Sequence, residues 1–336
     1  MKKWCTVLVG FGKIAQGYSN DAVMARHFPY ATHAQVLRDH PCLDWQGVVD
    51  PDPVARLVAK RKWKKQIVVP SPAGLGDFRE KVTLLVLATP PDHRQGILGE
   101  FPALRGVMLE KPLGIDLASS WAFLEECARR RIFVQVNLWR RGDKVLRGLA
   151  DGKLRRLIGR LQAAFGIYGN GLSNNGIHMV DLVRMLFGTI LSANRLPGPS
   201  FRESPLSNDV NVAFSLLVKG GPAVSFAPVR FSNYRENGLS LWGDRGRLDI
   251  WNEGLTIQKF GLCKHRSFFK AKEVTHDRPV SLPPQAGYAL YRLYSNLINT
   301  LEGKGKLWSS GTSAMETIRI LEAIRTSPVP RETFPA

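Results

Sequence analysis

The sequence is poor in cysteine, in acidic residues and in long apolar runs. Its four cysteines, Cys5, Cys42, Cys127 and Cys263, form no CxxC pair, so we expect reduced, small apolar side chains rather than disulfides. His, Cys and carboxylate residues do not cluster at metal-ligand spacing, so no metal site is predicted. No segment approaches the roughly 18 apolar residues of a membrane span, so no membrane partner is predicted either.

The N-terminal stretch MKKWCTVLVGFG places two lysines before an apolar run, as a secretory signal peptide does. That run ends at Gly10 and Gly12, and no small-residue cleavage site follows it. We therefore interpret the stretch as a first β-strand and expect a cytoplasmic protein.

Basic residues outnumber acidic ones by 47 to 28, which gives a formal net charge of +19. This charge attracts anionic partners such as phosphorylated small molecules or nucleic acid. The basic clusters, for example residues 59–65 and 128–131, belong to no recognised nucleic-acid-binding motif. A solvated basic face is the simpler interpretation, and nucleic acid is the least favoured partner.

The hydrophobic pattern of the first part of the chain is typical of a doubly wound parallel sheet, in which buried strands alternate with helices. Apolar runs lie within 6–18, 43–53, 82–91, 106–112 and 132–141. Helices are predicted at 52–62, 92–101 and 116–131. The predicted fold class is α/β, with an N-terminal Rossmann sheet.

After about residue 155 the pattern changes to successive strands joined by turns. Strands are predicted within 158–169, 210–221, 223–232, 238–251 and 254–260, and helices at 174–188 and 312–327. Gly220-Gly221 and the GDRG of 243–246 are hairpin signals. We predict a dinucleotide-binding domain over 1–118 and, over 119–336, an α+β domain with a large, mostly antiparallel sheet for substrate binding and oligomerisation.

Gly10, Gly12 and Ala15 fit the fingerprint of a dinucleotide-binding loop, in which the glycines allow a tight turn and close approach to a pyrophosphate. Asp50 ends the second strand, where a carboxylate would bind the adenosine ribose. That acid favours NAD over NADP, although Arg56 and the nearby basic cluster leave NADP as the alternative.

The spacing within this fingerprint is unusual. Asp50 lies 38 residues after Gly12, whereas about 20 is usual. We attribute the excess to an insertion at 17–31 and expect the helix to begin near Thr32. The competing interpretation of the glycines is an ordinary turn.

The segment VMLEKPLGID, residues 107–116, places Glu110, Lys111 and Pro112 at the end of an apolar strand. A buried ion pair is costly to desolvate, and the proline prevents the strand from continuing. Two interpretations follow: a solvated surface pair, or a lysine positioned for chemistry.

The combination of motifs resembles the Gfo/Idh/MocA family of NAD(P)-dependent sugar and cyclitol oxidoreductases, typified by glucose–fructose oxidoreductase and inositol dehydrogenase. The matching elements are the glycine loop, Asp50, the ATPP of 88–91, the EKP of 110–112 and the G-x-H-x-x-D of 176–181. The resemblance extends over nearly the whole chain, including GDRGRLDI at 243–250 and the closing helix.

The resemblance implies a role for each matching residue. Lys111 is similar to the family's lysine, which exchanges a proton with the reacting oxygen and stabilises a developing alkoxide. Glu110 would orient the turn, and Pro112 would follow a cis peptide bond. His178 would be a second acid or base, or bind a sugar hydroxyl. A core histidine is the alternative, and Asp181 lies on the same helical face.

The motifs and the resemblance together predict one set of cofactor contacts and one set of substrate contacts. The predicted cofactor contacts are Gly10, Gly12, Lys13, Ile14, Asp50, Thr89, Pro90, Glu110, Lys111 and Asn137. The predicted substrate contacts are Lys111, Asn174, Asn175, His178 and Asp181, with Lys111 and His178 as the catalytic pair.

Two positions depart from the family pattern. Asn174 stands where members commonly carry Asp, and an amide cannot accept a proton from the substrate. Arg94 stands where members often carry His, with His93 one position earlier. Proton transfer therefore falls to Lys111 or His178.

The expected function is hydride transfer between nicotinamide and a hydroxyl or carbonyl carbon of a sugar, cyclitol or nucleotide-sugar, in an enzyme linked to sugar metabolism or polysaccharide biosynthesis. The alternatives are a non-catalytic NAD(P)-binding sensor and a member that uses tightly held NAD transiently, of the glycosidase or aldose–aldose oxidoreductase type. The resemblance also implies a homodimer or homotetramer.

Overall fold

The computed structural model describes residues 2–94 and 96–328. The strands are β1 Trp4–Val9, β2 Leu43–Val49, β3 Ile67–Val69, β4 Leu84–Leu87, β5 Gly106–Leu109, β6 Phe133–Val136, β7 Leu161–Tyr168, β8 Ile190–Arg195, β9 Phe214–Val218, β10 Ala223–Pro228, β11 Gly238–Gly243, β12 Gly246–Trp251, β13 Thr256–Phe260, β14 Leu262–Lys264, β15 Lys272–Val274 and β16 Val280–Ser281. The α-helices are α1 Ala22–Ala25, α2 His33–Asp39, α3 Pro53–Arg61, α4 Leu117–Arg129, α5 Lys144–Gly148, α6 Leu154–Ile158, α7 Ile177–Phe187, α8 Ala289–Leu301 and α9 Gly311–Thr326.

The described residues form two compact units. Of the described residues, the first unit comprises those up to Gly142 together with Gly287–Met315, and the second comprises Asp143–Ala286 together with those from Glu316 onward. These units are bounded differently from the predicted domains 1–118 and 119–336, because β6 pairs with β5 in the first sheet.

The first unit contains a six-stranded parallel sheet in the order β3-β2-β1-β4-β5-β6. Strands β4 and β5 are buried along their whole length, which explains the unbroken apolar runs in the sequence. The strand order reverses between β1 and β4. In such sheets ligands bind outside the carboxyl ends of the strands at this reversal, where Gly10 and Ala88 follow the two strands.

One predicted helix of this unit is wrong and another helix escaped sequence analysis. The segment predicted as a helix at 92–101 contains two short 3-10 turns, Pro91–His93 and Ile97–Glu100. Gly96 has a left-handed φ of 74°, so it interrupts any continuous helix. The missed helix is α8, whose residues Leu293 and Tyr294 are buried in the same core as β1.

The second unit contains an eight-stranded sheet in the order β16-β13-β12-β11-β7-β10-β9-β8. Its strand pairs are antiparallel except β7 with β10, which are parallel. The two predicted turns join β9 to β10 and β11 to β12. The α/β fold class, with a second and mostly antiparallel sheet, is therefore confirmed. Over the described residues, no helix has the length and apolar character needed to cross a bilayer.

Candidate active site

The glycine loop follows β1 and is held against the end of β4. Gly10 has φ 85° and donates its N–H to the Val49 carbonyl at 2.9 Å. A Cβ at Gly10 would lie 2.8 Å from backbone atoms of Ala88 and Thr89, so only glycine fits there. At Gly12, by contrast, no described atom lies within 4 Å of a Cβ position. Open space therefore lies beside Gly12, the second glycine of the loop, and we call this space the cradle.

The helix after this loop is interrupted by an excursion. Its first turn ends at Gln16, the chain leaves over residues 17–31, and α2 resumes after Thr32. The N–H of Ala34 donates to the Ala15 carbonyl at 2.9 Å, so helical hydrogen bonding continues across the break. Thr32 caps α2 in a capping box with Gln35. The predicted helix start near Thr32 is confirmed.

Asp50 binds the glycine loop to the end of β2. Its buried carboxylate accepts the Phe11 N–H at 2.5 Å and the Asp52 N–H at 2.8 Å, one on each oxygen. Each oxygen keeps a lone pair that could accept a ribose hydroxyl. Without the fifteen residues of the excursion, the spacing from Gly12 to Asp50 falls from 38 to 23, which is near the usual value of about 20.

Glu110 is the centre of a buried hydrogen-bond network. Its Oε1 lies 2.9 Å from His33 Nε2 and accepts the Asn137 Nδ2 amide at 2.5 Å. His33 Nδ1 lies 2.6 Å from the Tyr294 hydroxyl. Because a carboxylate only accepts, Nε2 carries the proton, and in the neutral ring Nδ1 accepts the tyrosine proton. Neither His33 nor Tyr294 was among the site residues predicted from the sequence.

This network controls the ionisation of its members. Burial raises the pKa of Glu110, but the hydrogen bond and charge of His33, the Asn137 amide and the charge of Lys111 together hold it below its ordinary value. Burial, with the nearby charge of Glu110, raises the pKa of Tyr294 well above its ordinary value. Glu110 is therefore an ionised, fixed acceptor beside Lys111.

Lys111 lies in a turn that is hydrogen-bonded to the side chain of Arg94. The Lys111–Pro112 peptide bond is cis. The buried Arg94 guanidinium donates to the Thr89 carbonyl at 2.6 Å and to the carbonyls of Pro112 and Leu113. Burial lowers the pKa of Arg94 to about 10. Arg94, noticed in the sequence only as a departure, thus joins the loop after β4 to the lysine turn.

We expect Arg94→Lys to lower the free energy of unfolding by about 2 kcal/mol, because the donors of an ammonium all leave one nitrogen and cannot match the spread of a guanidinium that reaches carbonyls in two loops. Urea unfolding at pH 7 measures the loss. The control is Arg79→Lys, which alters a half-exposed pair with Glu100 and should change stability by no more than about 0.5 kcal/mol. Equal effects of the two substitutions would contradict the joining role.

Two buried polar atoms at the carboxyl ends of the strands have no protein partner. They are Thr89 Oγ1, after β4, and Asn137 Oδ1, after β6, and neither finds a hydrogen-bond partner among residues 2–94 and 96–328. Buried polar atoms are normally paired. These two oxygens therefore fit a polar ligand at this edge of the sheet.

The other predicted cofactor contacts lie in loops that follow strands of the first sheet. Lys13 is exposed, Ile14 accepts the His33 N–H through its carbonyl at 3.3 Å, and Pro90 precedes the first 3-10 turn. The structure therefore places these residues in the loops after β1 and β4.

The predicted substrate loop of the second unit is fixed by Asp209. Its carboxylate accepts the N–H groups of Ser173 at 2.8 Å and Asn174 at 3.0 Å. The Asn174 amide donates to the Asn170 carbonyl at 3.1 Å. The buried Asn175 Nδ2 has no partner in the described part of the chain, so it is the amide with an unused donor.

His178 is the second residue of α7 and is buried. Asp181, one turn further, accepts the Thr317 hydroxyl of α9 at 3.2 Å and lies 3.7 Å from Arg184 Nη1. Asp181 therefore binds α7 to α9. Lys111 belongs to the first unit and His178 to the second, and their convergence on one ligand stays a prediction.

The strand order and the glycine loop give the first unit the topology of a doubly wound α/β fold. No protein-family model and no curated protein matches the sequence. Solved structures do match. Levoglucosan dehydrogenase, in complex with NADH and L-sorbose, is 17% identical, with a TM-score of 0.73 over 97% of both chains.

Two further solved structures show the same fold. The WlbA dehydrogenase from Chromobacterium violaceum, in complex with NADH and UDP-GlcNAcA, is 16% identical, with a TM-score of 0.70 over 97% of this chain and 94% of that one. An oxidoreductase from Agrobacterium radiobacter, in complex with NAD+, L-tartaric acid and magnesium, is 15% identical, with a TM-score of 0.69 over 97% and 96%. At these identities the similarity establishes the two-sheet fold.

Proposed function

We propose that the protein is an NAD-dependent oxidoreductase of the Gfo/Idh/MocA type that acts on a hydroxyl or carbonyl carbon of a sugar or cyclitol. The observation that carries this proposal is the open cradle at Gly12 beside the Asp50 carboxylate. The complexes of similarly folded proteins with NAD+, NADH and sugar-type ligands support it.

The residues of the first unit fit a dinucleotide. Gly12 leaves space for a pyrophosphate, Asp50 offers acceptors to ribose hydroxyls, and the unpaired oxygens of Thr89 and Asn137 suit the polar groups of nicotinamide. Such a cofactor, when bound, supplies the hydride acceptor or donor. Asp50 would lie next to the extra phosphate of NADP, so we propose NAD as the preferred cofactor.

The proton is assigned to Lys111. Its ammonium can give a proton to a carbonyl oxygen or take one from a hydroxyl, and its charge stabilises an alkoxide. Glu110 keeps this turn electrostatically favourable for a cation. In the second unit, we assign His178 and the free Asn175 amide to the substrate hydroxyls. Asp181 instead anchors the helix of His178.

Filling the cradle tests the cofactor site. We expect Gly12→Val to retain the parent melting temperature, because no described atom lies within 4 Å of the new Cβ. The same substitution should weaken NADH binding at least tenfold, since the side chain occupies the space of the pyrophosphate. Fluorescence titration with NADH measures the dissociation constant.

The matched control for this experiment is Gly99→Val, at a glycine with equal space in the same unit but away from the strand ends. It should bind NADH as the parent does. Unchanged NADH binding in Gly12→Val would show that the glycine loop is an ordinary turn.

A second candidate is a non-catalytic NAD-binding sensor on the same fold. The observation that favours it is Asn174, which replaces a carboxylate and is bonded back to Asn170. NADH binding without turnover across a panel of sugars and cyclitols would support the sensor over the enzyme. Co-purified NAD, with turnover that needs no added cofactor, would indicate transient use of a tightly held cofactor.

We also propose a homodimer or homotetramer formed through the face of the eight-stranded sheet that carries Phe165 and Trp242. Phe165 is 43% exposed in the chain alone. On the same face, Arg247 and Asp249 form an ion pair at 3.1 Å although both are largely buried. An exposed aromatic ring on the same sheet face as a largely buried ion pair suits a two-fold interface.

A further inference from the structure

A cavity of about 440 Å³ lies in the second unit beside the predicted substrate loop. Leu172, Phe201 and Val212 form part of its wall. Leu172 and Val212 are buried, and one face of Phe201 is covered by the Arg230 guanidinium at 4.3 Å. The volume falls within the range of about 300–1,000 Å³ found for small-molecule sites. The cavity therefore has an apolar wall with one fixed aromatic ring.

Three arginines line the same cavity: Arg195, Arg202 and Arg325. In the part of the chain that the structure describes, no acidic side chain pairs with Arg195 or Arg202. Arg325 pairs with Glu322 and also donates to the Ser173 hydroxyl at 2.8 Å. Within residues 2–94 and 96–328, the cavity thus carries two arginines without a counter-ion, and such side chains bind phosphate through paired N–H groups.

The one carboxylate in the wall does not neutralise these arginines. Asp209 accepts the N–H groups of Ser173 and Asn174 and the Ser204 hydroxyl at 2.8 Å. Asp209 keeps its single negative charge, but the three arginines of the lining outnumber it. The positive field at Arg195 and Arg202 remains available to an anion.

We propose that this cavity binds the nucleoside diphosphate part of a nucleotide-sugar substrate, with the phosphates on Arg195 and Arg202 and the base against Phe201 and Leu172. This inference rests on the proposed function and narrows its substrate class. The segment Leu172–Gly176 connects the cavity to His178. Leu172 lines the cavity, and the segment leads directly into α7, which carries His178. The nucleotide would thus be recognised within the unit that carries the proposed substrate histidine.

The test is titration of UDP, GDP and dTDP, with inorganic diphosphate as the base-free probe, by isothermal calorimetry. The Gly12→Val chain is used beside the parent, because nucleotides also suit the cradle of the first unit. At least one nucleoside diphosphate should bind both chains. Arg195→Met and Arg202→Met should each weaken that binding at least tenfold.

The matched control is Arg235→Met, which removes an exposed arginine of the same unit that pairs with Glu253. It should leave nucleotide binding unchanged. Arg202 is exposed, so Arg202→Met keeps the test valid if Arg195→Met lowers the melting temperature. The proposal is overturned if no nucleoside diphosphate binds the Gly12→Val chain, or if both arginine variants bind as the control does.

The failure of this proposal is distinguishable from the failure of the proposed function. Turnover of a free sugar with NAD, when no nucleoside diphosphate binds the Gly12→Val chain, overturns the nucleotide site and leaves the oxidoreductase intact. Arginine-dependent nucleotide binding without turnover of any sugar or nucleotide-sugar supports the site and overturns the oxidoreductase.

Discussion

Replacing Lys111 with alanine is expected to lower kcat by about 10²- to 10⁴-fold, the usual contribution of a positioned acid or base. The variant loses both the proton donor and the ammonium that stabilises an alkoxide. NADH binding should change by less than about threefold, because the cradle at Gly12 and Asp50 is separate from this side chain. Steady-state turnover and NADH titration on the same preparation measure the two effects.

A small primary amine provides the decisive control for this substitution. Added methylamine should restore part of the turnover of Lys111→Ala, since it can occupy the vacated volume and carry the proton. Lys60→Met, at an exposed lysine of α3, should retain full activity with or without amine. Turnover of Lys111→Ala equal to that of the parent would remove Lys111 from the mechanism.

Replacing Glu110 with alanine should lower the free energy of unfolding by about 3 kcal/mol, because the buried His33 and Asn137 lose their common acceptor. Glu110→Gln keeps the shape and one acceptor oxygen and should lose about 1–2 kcal/mol. Urea unfolding at pH 7 provides both values. Glu126→Gln, at a half-exposed pair with Arg130, is the surface control and should change stability by less than about 0.5 kcal/mol.

Comparison of the parent with Glu110→Gln also measures how the contribution of Glu110 to stability depends on pH. Its pKa is lower in the folded state than in the unfolded chain, so the ionised carboxylate stabilises the fold at neutral pH. This contribution is present above the unfolded pKa of about 4.3 and is lost as the pH falls through the folded value. The stability difference between the parent and Glu110→Gln should therefore be constant near neutrality and narrow below about pH 4.3. A difference that widens on acidification would contradict the assignment.

The sequence predicted most strands of both sheets because their apolar runs are set by local burial, but it missed β3, β8 and β16, which all lie at the edges of their sheets. It also predicted the helix start at Thr32, since a capping threonine with Gln35 three residues later is a local signal. The helix predicted at 92–101 is wrong for a local reason too, because the left-handed Gly96 interrupts the segment. Helix α8 carries apolar residues at helical spacing, yet no local pattern shows that it belongs to a core built by residues far earlier in the chain.

The motif residues of the candidate site could be found from sequence, but their supports could not. Glycine loops and the EKP turn have short, local signatures. His33 lies 77 residues before Glu110 in the chain, and Tyr294 lies far after it. Only the folded structure therefore reveals that His33 contacts both Glu110 and Tyr294. Arg94 was noticed for the histidine it replaces, whereas its three carbonyl partners give it a structural role.

The place of α8 in the chain has a consequence for biosynthesis. The first sheet is synthesised within the first 142 residues, but the helix that covers one of its faces begins at residue 289. While the ribosome makes the intervening segment, apolar residues such as Trp4 and Leu8 lack their final cover. During this long interval the exposed face of the nascent chain is prone to aggregation or chaperone binding. A fragment truncated after Gly142 lacks α8 altogether and should remain prone to aggregation.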